Sequence, residues 1–284
     1  MTPFKARRYN FRQLLSNDCE YQPQPLLLAP DGDTTIWNVS PHSHGRSFIV
    51  GKTKNGRSII SKGNGLSYTS QTFVNTGEMG DNTWGLLLRD DAIRDFTLCN
   101  EIASLGIKTN QMECVLELEC EAILSEEKRI HPCLIQYDVE CPYRISDSCI
   151  MDRKELLKEV HKWERHNDRK HDRQHFHLIA ANVLINNLRV LHGHKILHNA
   201  ITSQNYTWAL ELLDFELACS PKHPYTNDDY VRHVPELFPR EVIYTYNIII
   251  EIAETLGEQV DCHTIDRLFE DYGFDMNNYK VEII

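Results

Sequence analysis

Two periodicities appear in this chain in a fixed order, short β-branched runs first and helical stripes later. Ser47-Phe48-Ile49-Val50-Gly51 and Arg57-Ser58-Ile59-Ile60-Ser61 are strand-type runs joined through Asn55-Gly56, a strong hairpin-turn signal. Lys62 closes the second run, and Gly63-Asn64-Gly65 follows. Residues 91–105 then predict a helix. Ala92, Phe96, Cys99 and Ala103 recur at spacings of four and three, and Gly106 is a suitable stop. Asp95 lies three residues after Ala92 and four before Cys99, so it is expected on the inward face. Cys114–Leu118 and Leu134–Tyr137 read as further strands. From Arg153 the pattern is helical. Leu178, Ala181, Leu184 or Ile185, Leu188 and Leu191 mark a long helix ending at Gly193. Val242, Ile249, Ile252, Ala253 and Leu256 mark another from about Arg240, stopped by Gly257. The pattern predicts an α+β chain, β-rich over residues 1–130 and helical over residues 131–284.

Composition removes several classes of function. At 284 residues the chain is long enough to bury a sizeable core, as one large domain or two lobes. A net charge of −11 disfavours non-specific binding to nucleic acid or an anionic membrane, both of which want a basic surface. No run approaches the ~18 apolar residues of a membrane span. Met1 to Arg8 is basic, but no apolar run follows, so no secretory signal is expected. The nine cysteines are scattered, odd in number and free of any C-x-x-C spacing. Reduced thiols in a cytoplasmic protein fit that usage.

The chemistry concentrates between His198 and Glu216. Asn205 stands nine residues before Asp214, which opens Asp214-Phe215-Glu216. An amide oxygen and a carboxylate are hard oxygen ligands of the kind Mg²⁺ takes, alongside phosphate oxygens and water. This is the spacing of the metal-binding pair in protein kinases, where a catalytic-loop Asn and a D-F-G Asp hold the ion. Together with strands followed by helices, it predicts a two-lobed, protein-kinase-like fold. Gln204 occupies the position before the Asn where an acidic base is expected.

Four blocks, in order and spanning about residues 45–256, resemble the selenoprotein O family, kinase-like proteins that transfer AMP from ATP to protein hydroxyls. Ser61-Lys62-Gly63-Asn64-Gly65-Leu66-Ser67-Tyr68-Thr69-Ser70 is similar to the family's K-G-x-G-x-T-P-[FY]-S segment. Ile93-Arg94-Asp95-Phe96 with Leu105-Gly106-Ile107-Lys108-Thr109 is similar to I-R-E-F…L-G-I-P-T. His198 to Asn205 is similar to H-G-V-M-N-T-D-N, with Asp214-Phe215-Glu216 in place of D-Y-G. Arg232 and the segment from Pro239 to Leu256 resemble the region after the activation segment.

The resemblance implies roles residue by residue. Lys62, with Gly63 and Gly65, would contact ATP phosphates, and Asp95 would pair with Lys62 from the first helix, where the family has a longer Glu. Asn205 and Asp214 would bind Mg²⁺ or Mn²⁺. Arg144 falls on the second arginine of the family's R-V-A-P-S-x-x-R segment, which contacts the nucleotide, while Tyr137 replaces the first. Gln204 cannot take a proton, although an amide can orient a hydroxyl.

Three functions follow. The first is an ATP- and Mg²⁺-dependent transferase moving AMP, or less readily phosphate, to a protein or small-molecule acceptor. The second is a nucleotide-binding pseudokinase scaffold without catalysis. The third is a small-molecule phosphotransferase. A rival metal site would come from His161, His166, His171, His175 and His177, with His171 and His175 four apart on a helix face. That segment is densely charged and lacks the glutamate of H-E-x-x-H, which favours a solvated helix face. His42 and His44 read as part of a turn.

Overall fold

Asn55-Gly56 makes the turn its sequence predicts. Gly56 has φ +81°, its N–H donates to the Thr53 carbonyl at 2.9 Å, and the strands on either side pair antiparallel. These are β5 (Ser47–Lys52) and β6 (Ser58–Lys62). The computed structural model describes residues 2–17, 21–29, 31–38, 46–65, 85–123, 129–149, 151–166, 175–224 and 234–279. The chain divides into two compact units, Met1–Asn100 with Asn110–Asp147 and Glu101–Thr109 with Ser148–Ile284. It is α+β, with an eight-stranded antiparallel sheet and, among the described residues, five α-helices.

The first unit is built on the sheet. Its strands also include β1 (Thr2–Arg8), β2 (Phe11–Ser16), β3 (Leu26–Leu28), β4 (Thr34–Asn38), β7 (Gln111–Leu118) and β10 (Cys133–Val139). They run in the order β2-β7-β10-β6-β5-β4-β1-β3, while β8 (Ala122–Ile123) and β9 (Arg129–Ile130) form a separate ribbon. The sequence signals β5, β6, β7 and β10 but not β1 to β4, whose ladders join residues far apart in the chain.

Two buried amides tie the short strand β3 down. Gln136 on β10 accepts from the Gln24 N–H at 3.0 Å and donates to the Gln24 carbonyl at 2.6 Å. Asn64 Nδ2 donates to the Leu26 carbonyl at 2.7 Å. Ala6, Leu26, Ile36 and Phe48 pack there as one core cluster, with Cys114, Leu116, Leu118 and Leu134 as another. Since β10 bonds both β6 and β7, this unit continues to Asp147 rather than ending at residue 130.

Helix α1 (Arg89–Ser104) follows its predicted phase with one correction. Ala92, Asp95, Phe96, Cys99 and Ile102 are buried, whereas Ala103 is exposed. The stripe therefore ends at Ile102, whose larger apolar surface gains more from burial.

In the second unit, α2 (Arg153–His166), α3 (Phe176–Gly193), α4 (Val234–Leu256) and α5 (Cys262–Asp271) surround an apolar interior. Trp163 meets Phe176 edge-on at 5.5 Å, and Phe176 leans on Trp208 at 6.2 Å. Helix α4 starts six residues before the expected Arg240 and carries Pro239 inside it. A proline there has no N–H and so leaves out one helical hydrogen bond; Pro239 itself is exposed. Helix α5 lies outside the helical stripes predicted above. Asp261 caps it, accepting from the His263 N–H at 3.1 Å. No described helix is long and apolar enough to cross a membrane.

Candidate functional site

In the first unit Lys62 sits at the end of β6, directly across the ladders from Ser47 on β5 and Ile135 on β10. Its side chain is 2% exposed, as is that of Asp95, and Lys62 Nζ lies 2.8 Å from Asp95 Oδ2. The predicted partners therefore meet, and the shorter carboxylate reaches the ammonium without the extra methylene of a glutamate. Burying both charges is costly, and each offsets that cost for the other at hydrogen-bonding distance.

Gly63 and Gly65 have φ values of +97° and +113°, backbone that side chains rarely adopt. At Gly63 the reason is also steric. A Cβ would lie 2.6 Å from the Cys133 carbonyl oxygen and 2.8 Å from Leu87 Cβ. Gly63 thus lets the chain leave β6 beneath β10. Its missing side chain makes room for the Cys133 carbonyl and Leu87. Arg144 is buried after β10, where its N–H donates to Asp147 Oδ2 at 2.7 Å and starts a 3-10 turn. Tyr137 is buried in β10 opposite Ile60.

In the second unit the structure brings the His198–Asn205 loop against the Asp214-Phe215-Glu216 turn. The Leu213 N–H donates to the Asn205 carbonyl at 2.9 Å, and His198 Nε2 lies 2.9 Å from the Leu213 carbonyl. The His198 ring meets Phe215 edge-on at 5.1 Å. Asn205 is buried and Gln204 beside it is exposed. Asn205 Nδ2 donates to the Ala200 carbonyl at 2.9 Å, which turns the amide oxygen away from Ala200. Asp214 has φ +67°, a left-handed conformation that is uncommon outside glycine. Carboxylate oxygens of Asp214 and Glu216 come within 4.8 Å of each other, so the turn sets a second acidic side chain beside the expected Asp214.

Residues that no motif marks hold this loop in place. Glu241 on α4, buried, accepts from the Asn199 N–H through Oε1 at 2.7 Å and meets His192 Nε2 through Oε2 at 2.9 Å. Asn199, with φ +65°, donates through Nδ2 to the Leu217 carbonyl at 2.8 Å. One carboxylate on α4 thereby fixes the start of the loop, and Asn199 passes the constraint to the segment after Asp214. The Tyr206 phenol is held well above its ordinary range, chiefly by burial and further by the Glu241 charge, so it stays protonated. Helical phase places Glu241 beside the expected core residue Val242, but nothing in the sequence names its partners.

Only part of the histidine cluster falls among the described residues. His175 has extended backbone immediately before α3, and His177 is buried with Nδ1 2.7 Å from Glu258 Oε2. His42, His44, His171, Arg232 and residues 66–70 lie outside the described residues. No protein-family model matches the chain, and no curated protein sequence matches it significantly.

Proposed function

We propose that this protein is an ATP- and Mg²⁺-dependent transferase of the selenoprotein O type, with a kinase-like two-lobed fold. It moves AMP from ATP to a protein or small-molecule acceptor. The observation that carries this reading is the buried Lys62–Asp95 pair, a lysine on a central strand matched to an acid on the first helix. Kinase-type enzymes hold their phosphate-binding lysine in this way. The second support is the Asn205 loop bonded to the Asp214 turn within the second unit. An amide oxygen from Asn205 and carboxylates from Asp214 and Glu216 are the hard oxygen set that suits Mg²⁺. The ion supplies charge neutralisation on the phosphates when bound. Lys62 places a compact positive charge on phosphate oxygens.

In AMP transfer the acceptor oxygen forms a bond to the α-phosphorus, the bond to the bridging oxygen breaks, and pyrophosphate leaves. Gln204 takes no proton, so the acceptor is one that is already ionised or that loses its proton to water. The same residue motivates a second reading, a nucleotide-binding pseudokinase, because an exposed amide stands at the base position.

Transfer from α-labelled and γ-labelled ATP to a panel of proteins and small molecules separates the readings, with Asp214→Ala as the blank. Label from the α position is the expected result. Label from the γ position alone indicates a phosphotransferase. A Mg-ATP-dependent rise in melting temperature with neither label transferred indicates the pseudokinase. No rise and no label overturns the nucleotide reading altogether.

A further inference from the structure

Ser47 stands out among the buried polar groups of the first unit. It lies on β5 directly opposite Lys62, so the two side chains leave the same face of the sheet with Cβ atoms ~5 Å apart. Ser47 is 4% exposed, and its Oγ has no hydrogen-bond partner among the described residues. A hydroxyl buried without a partner destabilises the fold that contains it, whereas alanine or valine at a central strand position would not. The fold alone therefore gives no reason for a serine here. A ligand oxygen does, because the neighbouring side chain is a buried ammonium. An ammonium and a hydroxyl donor side by side present the complement of an anionic phosphate oxygen.

We infer that Ser47 is a second phosphate-binding residue, donating its hydroxyl hydrogen to an oxygen of the same phosphate chain that Lys62 contacts. This rests on the nucleotide reading above and adds to it a residue that none of the sequence blocks contains. Lys62 is shared with Asp95 and acts as a point charge without directional preference. Ser47 supplies direction, since a hydroxyl donates one hydrogen along one line. The ligand class is a polyphosphate, and the adenosine part makes no use of Ser47.

The test uses the full chain with Ser47→Ala and Ser47→Thr, titrated with ATP, tripolyphosphate and adenosine in the presence of Mg²⁺. Melting without ligand is measured first. Ser47→Ala should melt at or above the parent temperature, because it removes a group that has nothing to bond to. It should weaken ATP and tripolyphosphate binding about tenfold or more, as the loss of a hydrogen bond to a charged acceptor does, and leave any adenosine binding unchanged. Ser47→Thr, which keeps the hydroxyl, should recover most of the affinity. If Ser47→Ala binds ATP and tripolyphosphate like the parent, the hydroxyl serves an internal water or nothing, and the inference fails alone. If Ser47→Ala melts well below the parent, Oγ has a structural partner and the inference fails on that ground. If the parent binds neither ATP nor tripolyphosphate, the nucleotide reading falls and takes this one with it.

Discussion

The Lys62–Asp95 pair can be tested as a coupled unit. Both side chains are 2% exposed and their charged atoms are 2.8 Å apart, so removing either one leaves a buried charge without this counter-ion. Asp95→Leu and Lys62→Met should each destabilise the first unit by about 3–5 kcal/mol, the usual loss when one member of a buried pair goes. For a domain of this size that is a fall of ~6–20 °C in melting temperature. The double variant removes both charges and fills the space with apolar atoms, so it should lie close to the parent rather than at the sum of the two losses. Urea unfolding followed by amide exchange in β6 and α1 reads this unit separately from the helical one. The double variant also separates stability from function, since it should fold yet show no rise in melting temperature with Mg-ATP. Two results refute the reasoning: losses that simply add, or an Asp95→Leu variant as stable as the parent.

Gly63→Ala should lower the melting temperature, since positive φ alone costs about 1–3 kcal/mol and the new Cβ would press on the Cys133 carbonyl oxygen; a thermal melt that overlays the parent's refutes this. Glu241→Ala leaves the Asn199 N–H and His192 Nε2, both partly buried, without their acceptor and should lower stability by about 1 kcal/mol or more, whereas Glu241→Gln keeps an oxygen for Asn199 and should lose much less in urea titrations. Equal losses in the two variants would count against Glu241 as the anchor of the loop. Bonds from the Thr264 side chain, with smaller help from backbone N–H groups, hold the Asp261 carboxyl below its ordinary 3.8. A lowered folded value means that its support of α5 is present above the unfolded value and is lost as pH falls through the folded one. Exchange protection in α5 should stay level from neutral pH down to about pH 4 and fall below it, and Asp261→Ala should lack that step.

Local signals were legible in the sequence, and groups acting at a distance were not. The Asn55-Gly56 turn, the inward phase of Asp95 and the α3 stripe each depend on residues within one or two turns of chain. The turn and Asp95 stand as expected, and the stripe is buried from Ala181 to Leu191 while Leu178 is only half-buried. The β1 and β2 runs, Thr2–Arg8 and Phe11–Ser16, mix charged and polar residues with apolar ones and contain no β-branched run, so they carry little strand signal. Helix α5 was readable in principle, with Asp261 as cap and Ile265, Leu268 and Phe269 at helical spacing. At the site, Lys62, Asp95, Asn205 and Asp214 were marked by motif and spacing. Glu241 was not, because its partners are 42 and 49 residues away. Ser47 was invisible for another reason: a serine in a strand run looks like any half-exposed position until the ladder sets it beside Lys62.

Glu258 gives α3 a dependence on the order of synthesis. The first N–H groups of α3, from Phe176 and His177, donate at 2.9 Å to the carboxylate of Glu258, which follows them by as many as 82 residues. On a chain emerging from the ribosome those donors lack this carboxylate, and His175 makes no side-chain cap in its place. At ~5–20 residues per second, about 4–16 s pass before Glu258 is made. Throughout that interval the first turn of α3 lacks this acceptor, and a product truncated before Glu258 would fray at that end.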